Sequence, residues 1–267
     1  MCAGFEAGHK SDSGLDLTKR LSAVDASVRA YAYEGAGLGL ALSDRLEGGQ
    51  NRFDDALLLG PAYCIPLLIG AGWSIPWKSY SQNAWEAGLL ESNRLLRLIP
   101  LIGWGTHLAY FHWARYVEKQ RVPPIIPERE REIFDQGIGR AIWFGEAGDP
   151  DQVAARIAYF APSRQPDLWS GVGLSCDRWC VRGSAGLKDL LHASGPWRSF
   201  LSAGAAFAAM IRSSAGMASP ELEATCEILC QASMMETMQT VERIGWDLHT
   251  NQYGGYDGWR ERIRALY

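Results

Sequence analysis

Apolar residues recur at helical spacing along most of this chain, and period-two alternation is nowhere sustained, so the pattern reads as helices rather than strands. Leu17, Leu21, Val24 and Val28 mark an amphipathic helix over 16–29, with Asp16 in the N-cap position. The next stretch, 30–46, keeps helical spacing. Its Gly35 and Gly39 stand four apart and leave a bare stripe that admits another helix or a flat ligand, at about 1 kcal/mol of helix propensity per glycine. Residues 56–77 contain no charge and are long enough to span a bilayer. Pro61, Pro66 and Pro76 interrupt them, which predicts short buried helices instead. An amphipathic helix follows at 85–98, then the aromatic segment 101–113 and a rigid proline connector at 122–127. Further helices are predicted at 128–144, 150–160, 197–214, 220–244 and 258–266, with Ser219 capping the fourth and Pro220 in its first turn.

The chain also echoes itself. Sliding it by 136 positions lays 17–38 over 153–174 without a gap, placing Arg20 on Arg156, Leu21 on Ile157, Tyr33 on Trp169, Gly35 on Gly171, Gly37 on Gly173 and Leu38 on Leu174. Residues 59–63 resemble 203–207, and 140–143 resemble 264–267. This predicts an old duplication: a flexible tail at 1–16, a first helical repeat at 17–147 and a second at 148–267. The two would pack as one globular unit about a pseudo-twofold axis, with Gly35/Gly37 and Gly171/Gly173 meeting near it. The expected class is a mainly α, soluble protein. Where Glu34 stands the second copy has Ser170, and such a chemical difference is a place to look for function.

Composition narrows the function classes. A net charge of −4 and the interleaving of Arg115–Arg131 with glutamates and prolines give no basic face for nucleic acid. Six cysteines without an apolar leader predict reduced thiols in a cytoplasmic protein. Cys176/Cys180 and Cys226/Cys230 are four apart, a spacing better suited to small core residues than to zinc.

Candidate chemistry is sparse. Gly35-Ala36-Gly37-Leu38-Gly39 mimics a dinucleotide fingerprint, but its third glycine is one place early and no β-α train follows, so glycines for helix packing are the better reading. His107 and His112 are five apart and do not share a helix face, and no metal or cofactor is expected. Asp54-Asp55 lacks the third aspartate of a diphosphate-binding motif and suits a helix start. What remains is a set of ionisable residues in apolar surroundings: Glu34, His107, Arg140 and Asp167. They must be paired or have shifted pKa values. For Arg140 and Asp167 a salt bridge outweighs catalysis, whereas for Glu34 the two readings stand level. Tyr33, Trp73, Trp104, Tyr110, Trp143, Trp169 and Phe207 are the candidates for lining an apolar pocket.

Residues 32–42, Gly70-Ala71-Gly72-Trp73, the Gly-x-Gly-x-His ending at His107 with Tyr110-Phe111 after it, Gly139-Arg140 with Trp143-Phe144, 167–173 and 204–209 occur in one order. In these the chain resembles the UnbL-type proteins, a family of unknown function from bacterial enediyne polyketide gene clusters. It departs from them in a shorter N-terminal segment and in Ile102, where the family carries Asp. The resemblance implies an accessory biosynthetic protein acting on a long apolar polyene or polyyne chain, as a cofactor-independent cyclase or isomerase. Glu34 would then be the proton donor or acceptor and His107 its partner. The alternative is a non-catalytic polyene-binding or scaffold protein; a noncanonical terpene-type cyclase is a third reading. The implied partners are an apolar small molecule and other proteins of the same pathway, with room for a homodimer. A deep cavity touching Glu34 and His107 favours the enzyme, a solid core with exposed apolar surface the binding protein.

Overall fold

The structure, a computed structural model, describes residues 1–47, 52–58, 61–75, 96–244 and 255–267. Among them every regular element is a helix, and no helix is long and apolar enough to cross a membrane. In chain order the α-helices are α1 (Cys2–Lys10), α2 (Gly14–Ser22), α3 (Arg29–Glu47), α4 (Arg52–Leu57), α5 (Pro61–Trp73), α6 (Ile99–Phe111), α7 (Arg131–Gly145), α8 (Pro150–Ala158), α9 (Gln165–Gly173), α10 (Gly183–Ala193), α11 (Arg198–Ser214), α12 (Pro220–Thr225), α13 (Met234–Arg243) and α14 (Gly255–Arg264).

Several boundaries differ from the sequence reading, each for a local reason. The expected N-terminal tail contains α1, whose Gly4, Ala7 and Gly8 are buried against α3. Ser13, not Asp16, caps α2: its hydroxyl accepts from the Asp16 N–H at 3.2 Å, and Asp16 sits inside the first turn. The helix predicted over 16–29 stops at Ser22, because Asp25 accepts from the Ser27 N–H at 2.8 Å and starts a 3-10 turn. The helix predicted over 220–244 breaks after the π-turn Cys226–Cys230, where Gln231 adopts φ 56°, and Ser233 restarts it with a capping box. Helix α10 and the π-turn at Ala114–Glu118 have no counterpart in the sequence reading. Most of the amphipathic helix predicted over 85–98 lies outside the described residues.

The frame is a row of helices joined through glycine. α3, α5, α6, α7 and α9 each carry Gly-x-Gly, at 35/37, 70/72, 103/105, 137/139 and 171/173, and α11 carries Gly204-x-Ala206; successive pairs stand 33–35 residues apart. The second glycine of one helix lies against the carbonyl three residues before the first glycine of the next: Gly37 on Leu67, Gly72 on Pro100, Gly105 on Phe134, Gly139 on Leu168 and Gly173 on Leu201. In return Gly70 meets the Glu34 carbonyl, Gly103 that of Ile69, Gly137 that of Ile102, Gly171 that of Gln136 and Gly204 that of Ser170. A methyl at any of these positions would overlap the facing backbone oxygen. Backbones this close gain dispersion and Cα–H···O contacts that offset the poor helix propensity of glycine.

This pattern replaces the expected twofold pairing. Gly35 packs on the Met1 carbonyl at the start of α1 and Gly171 on that of Gln136 in α7, so the two pairs do not meet. The offset of 136 residues is four steps of the shorter spacing.

The row curls. α11 comes back against α5, and the Met217 sulfur reaches the Ala30 N–H at 3.2 Å beside the start of α3. The helices thereby enclose one large apolar core with members from Ala7 to Ile263, and two small satellite clusters beside it. α6 is buried at every position from Ile99 to Ala109, which accounts for its lack of charge. Where α3, α5, α7, α9 and α11 face one another across the curl, a few charged side chains meet.

Candidate functional site

On α3, Tyr31 and Glu34 are one turn apart and face the axis of the curl, whereas Tyr33 stacks on Tyr63 with ring centres 3.9 Å apart. The seam at Gly70 brings α5 against the Glu34 backbone, and one turn later the Trp73 indole donates to Glu34 Oε1 at 3.1 Å. α7 delivers Arg140 directly after Gly139. Its Nη2 donates to Glu34 Oε2 at 3.1 Å and Oε1 at 3.3 Å, and its Nε donates to Ser175 Oγ at 3.3 Å. The two side chains are 4% and 7% exposed, so this is a buried ion pair with supporting hydrogen bonds on both partners.

A second pair completes the cluster. Arg212 of α11 lies 2.8 Å from Asp177, donates to the Tyr31 hydroxyl at 2.8 Å and to the Leu174 carbonyl at 3.1 Å, and stands over the Tyr31 ring. Burial raises the pKa of Asp177, against the pull of Arg212. Burial also raises that of Tyr31, so its phenol stays protonated. Glu34, Arg140, Tyr31 and Arg212 line a cleft of about 20 Å³ together with Pro66, Ile69 and Ile211.

The remaining predicted residues are distributed around the fold. His107 packs edge-on to Trp73, 5.8 Å between ring centres, and against Phe111. Burial, aided by His112 and opposed by a hydrogen bond at the Trp73 backbone, lowers its pKa to about 4, so the ring is neutral at pH 7. Glu34 and His107 thus both touch Trp73. Asp167 belongs to a separate cluster, accepting from Arg260 at 2.8 Å near Glu132 and Asp135; burial raises its pKa to about 7, against the opposing charge of Arg260. Trp143 is fully buried and donates to the Arg178 carbonyl at 2.9 Å. Trp104 packs on Phe134 and Phe207 on Trp259, both in the core, where Trp169 is also buried. Tyr110 is half exposed beside Phe111 on the surface.

Tyr31, Ser175, Asp177 and Arg212 join the cluster without having been expected from the sequence. A signal existed for Arg212, a lone cation ending the apolar run from Leu201 to Ile211.

One family model matches the whole chain, residues 1–267: the protein of unknown function DUF1702. The chain belongs to that family. No curated protein and no solved structure matches it. For this member of the DUF1702 family the site chemistry therefore rests on its own geometry. That geometry offers a carboxylate held by an arginine and an indole, a neutral histidine packed against the same indole, and a cleft that admits one water-sized group.

Proposed function

We propose that this protein is an accessory binding protein of bacterial secondary-metabolite biosynthesis, which holds an apolar polyene or polyyne chain without transforming it. The pathway assignment follows the resemblance to the UnbL-type proteins. The binding role follows from the state of Glu34. A general acid or base needs a transferable proton within reach of the substrate, but this carboxylate is engaged by Arg140 and Trp73, beside a cleft of about 20 Å³. Pockets that enclose a drug-sized ligand run to about 300–1,000 Å³. The chain would instead lie along exposed aromatic surface, such as that around Trp179, which is 67% exposed and packs against Tyr31 and Phe144. The six free cysteines fit a reducing, cytoplasmic setting.

The test uses cis-parinaric acid, a fluorescent conjugated tetraene fatty acid. Titration into the protein should give saturable fluorescence, and chromatography after prolonged incubation should return the tetraene unchanged. Conversion to a cyclised or isomerised product would replace this reading by the cyclase or isomerase.

A further inference from the structure

We propose that the cleft between Arg140 and Tyr31 is a subsite for one carbonyl oxygen, and that the Trp179 face beside it carries the acyl chain to which that carbonyl belongs. The inference rests on the binding role above and names the chemical class of the ligand: an apolar acyl chain presenting an acid, ester or thioester carbonyl.

Arg140 is the first observation. Its Nη2 is spent on Glu34 and its Nε on Ser175, whereas Nη1, fully buried on a side chain that is 4% exposed, meets no acceptor among the described residues. A buried guanidinium N–H without an acceptor costs about 1–3 kcal/mol, and this one belongs to a residue that lines the cleft. Tyr31 is the second. Its oxygen already accepts from Arg212 at 2.8 Å, which leaves its own O–H to donate, and it lines the same cleft. Two side chains that line one water-sized space, each with a donor to spare, suit an acceptor oxygen there. The charges agree, because Arg140 is balanced by Glu34 and Arg212 by Asp177, so a neutral acceptor is served as well as an anionic one.

Trp179 is the third. It has φ 59°, a left-handed conformation that costs a residue with a β-carbon about 1–2 kcal/mol. The Trp179 carbonyl is packed against Gly148, so the backbone holds the turn while the indole points outward, its ring centre 6.5 Å from Tyr31. The indole leaves most of its surface open while its inner side rests on Tyr31 and Phe144, and strain of this kind clusters at ligand clamps. An acyl chain lying on Trp179 would have its carbonyl end directed past the Tyr31 ring into the cleft.

The test compares three probes on the full chain: cis-parinaric acid, its methyl ester, and the corresponding tetraene hydrocarbon without a carbonyl. Tyr31→Phe keeps the ring and removes the O–H, and Trp179→Ala removes an exposed side chain; both variants should fold, as circular dichroism will verify. Acid and ester should bind wild type at least tenfold more tightly than the hydrocarbon. Tyr31→Phe should abolish that preference, and Trp179→Ala should weaken all three probes about tenfold or more. Equal affinity for the three probes, or unchanged affinities in both variants, would overturn the subsite while leaving polyene binding intact. Absence of any polyene binding to wild type would overturn the binding role as well.

Discussion

Replacing Glu34 by Gln separates a structural from a catalytic carboxylate. Gln keeps an oxygen for the Trp73 indole but removes the charge opposite Arg140, whose guanidinium is almost fully enclosed. Breaking one side of a buried ion pair costs about 3–5 kcal/mol, because an uncompensated charge remains. Ser175 and the new amide oxygen soften this, so about 3 kcal/mol is expected, a fall in Tm of roughly 6–12 °C for a chain of this size. Arg140→Gln should cost a similar amount for the mirror-image reason. The double variant leaves no unpaired charge at this position and should recover much of the loss, giving a coupling of about 2 kcal/mol or more in a double-mutant cycle. Urea denaturation followed by circular dichroism measures all four corners. Additive single effects, or a Glu34→Gln protein within about 0.5 kcal/mol of wild type, would show that the pair does not hold the fold together.

Three further outcomes are expected. Gly137→Ala places a methyl on the Ile102 carbonyl and should destabilise by about 1–3 kcal/mol despite the better helix propensity of Ala, whereas an exposed helical Gly→Ala would stabilise; urea melts distinguish the signs. Trp143→Phe removes the donor to the Arg178 carbonyl inside the core and should cost about 1–3 kcal/mol, measured the same way; an unchanged midpoint would count against that bond. Asp167 and His107 should give opposite pH dependences. The folded pKa of Asp167 is raised to about 7, so its stabilising contribution is present below about pH 4 and lost as pH rises toward 7. That of His107 is lowered to about 4, so its contribution is present above about pH 6.5 and lost as pH falls. Relative to wild type, Asp167→Asn should therefore gain stability with rising pH between 4 and 6.5, and His107→Phe should lose it. Parallel curves for all three proteins would refute both shifts.

The helical class was legible because period and capping residues are local: Ser219 and the 197–214 helix lie where the spacing places them. Glu34 was legible through its contrast with Ser170, and Trp73 through the segment Gly70-Ala71-Gly72-Trp73 that carries part of the family resemblance. The glycine row was present in the sequence but disguised, since its spacing drifts between 33 and 35 residues as the connectors change length. The 136-residue offset that stood out compares α3 with α9, four steps along the row, and so hid the steps between them. Tyr31 and Arg212 stayed hidden because they are 181 residues apart and meet only after the row has curled. Trp179 carries no local cue either, because a left-handed residue is announced by Gly or Asn and rarely by Trp.

The glycine row has a consequence for how the chain is made. Each seam joins helices about a third of a hundred residues apart, so a helix leaving the ribosome can dock on its predecessor at once, one seam at a time. The buried charges cannot follow that schedule. Glu34 precedes Arg140 by 106 residues, and Tyr31 precedes Arg212 by 181. At roughly 5–20 residues per second, Glu34 waits on the order of ten seconds, solvated, while the three seams from α3 to α7 form. Arg140 meets the carboxylate once α7 has docked, and Arg212 reaches Tyr31 only with α11, so the cleft takes its final form after the row that surrounds it is complete.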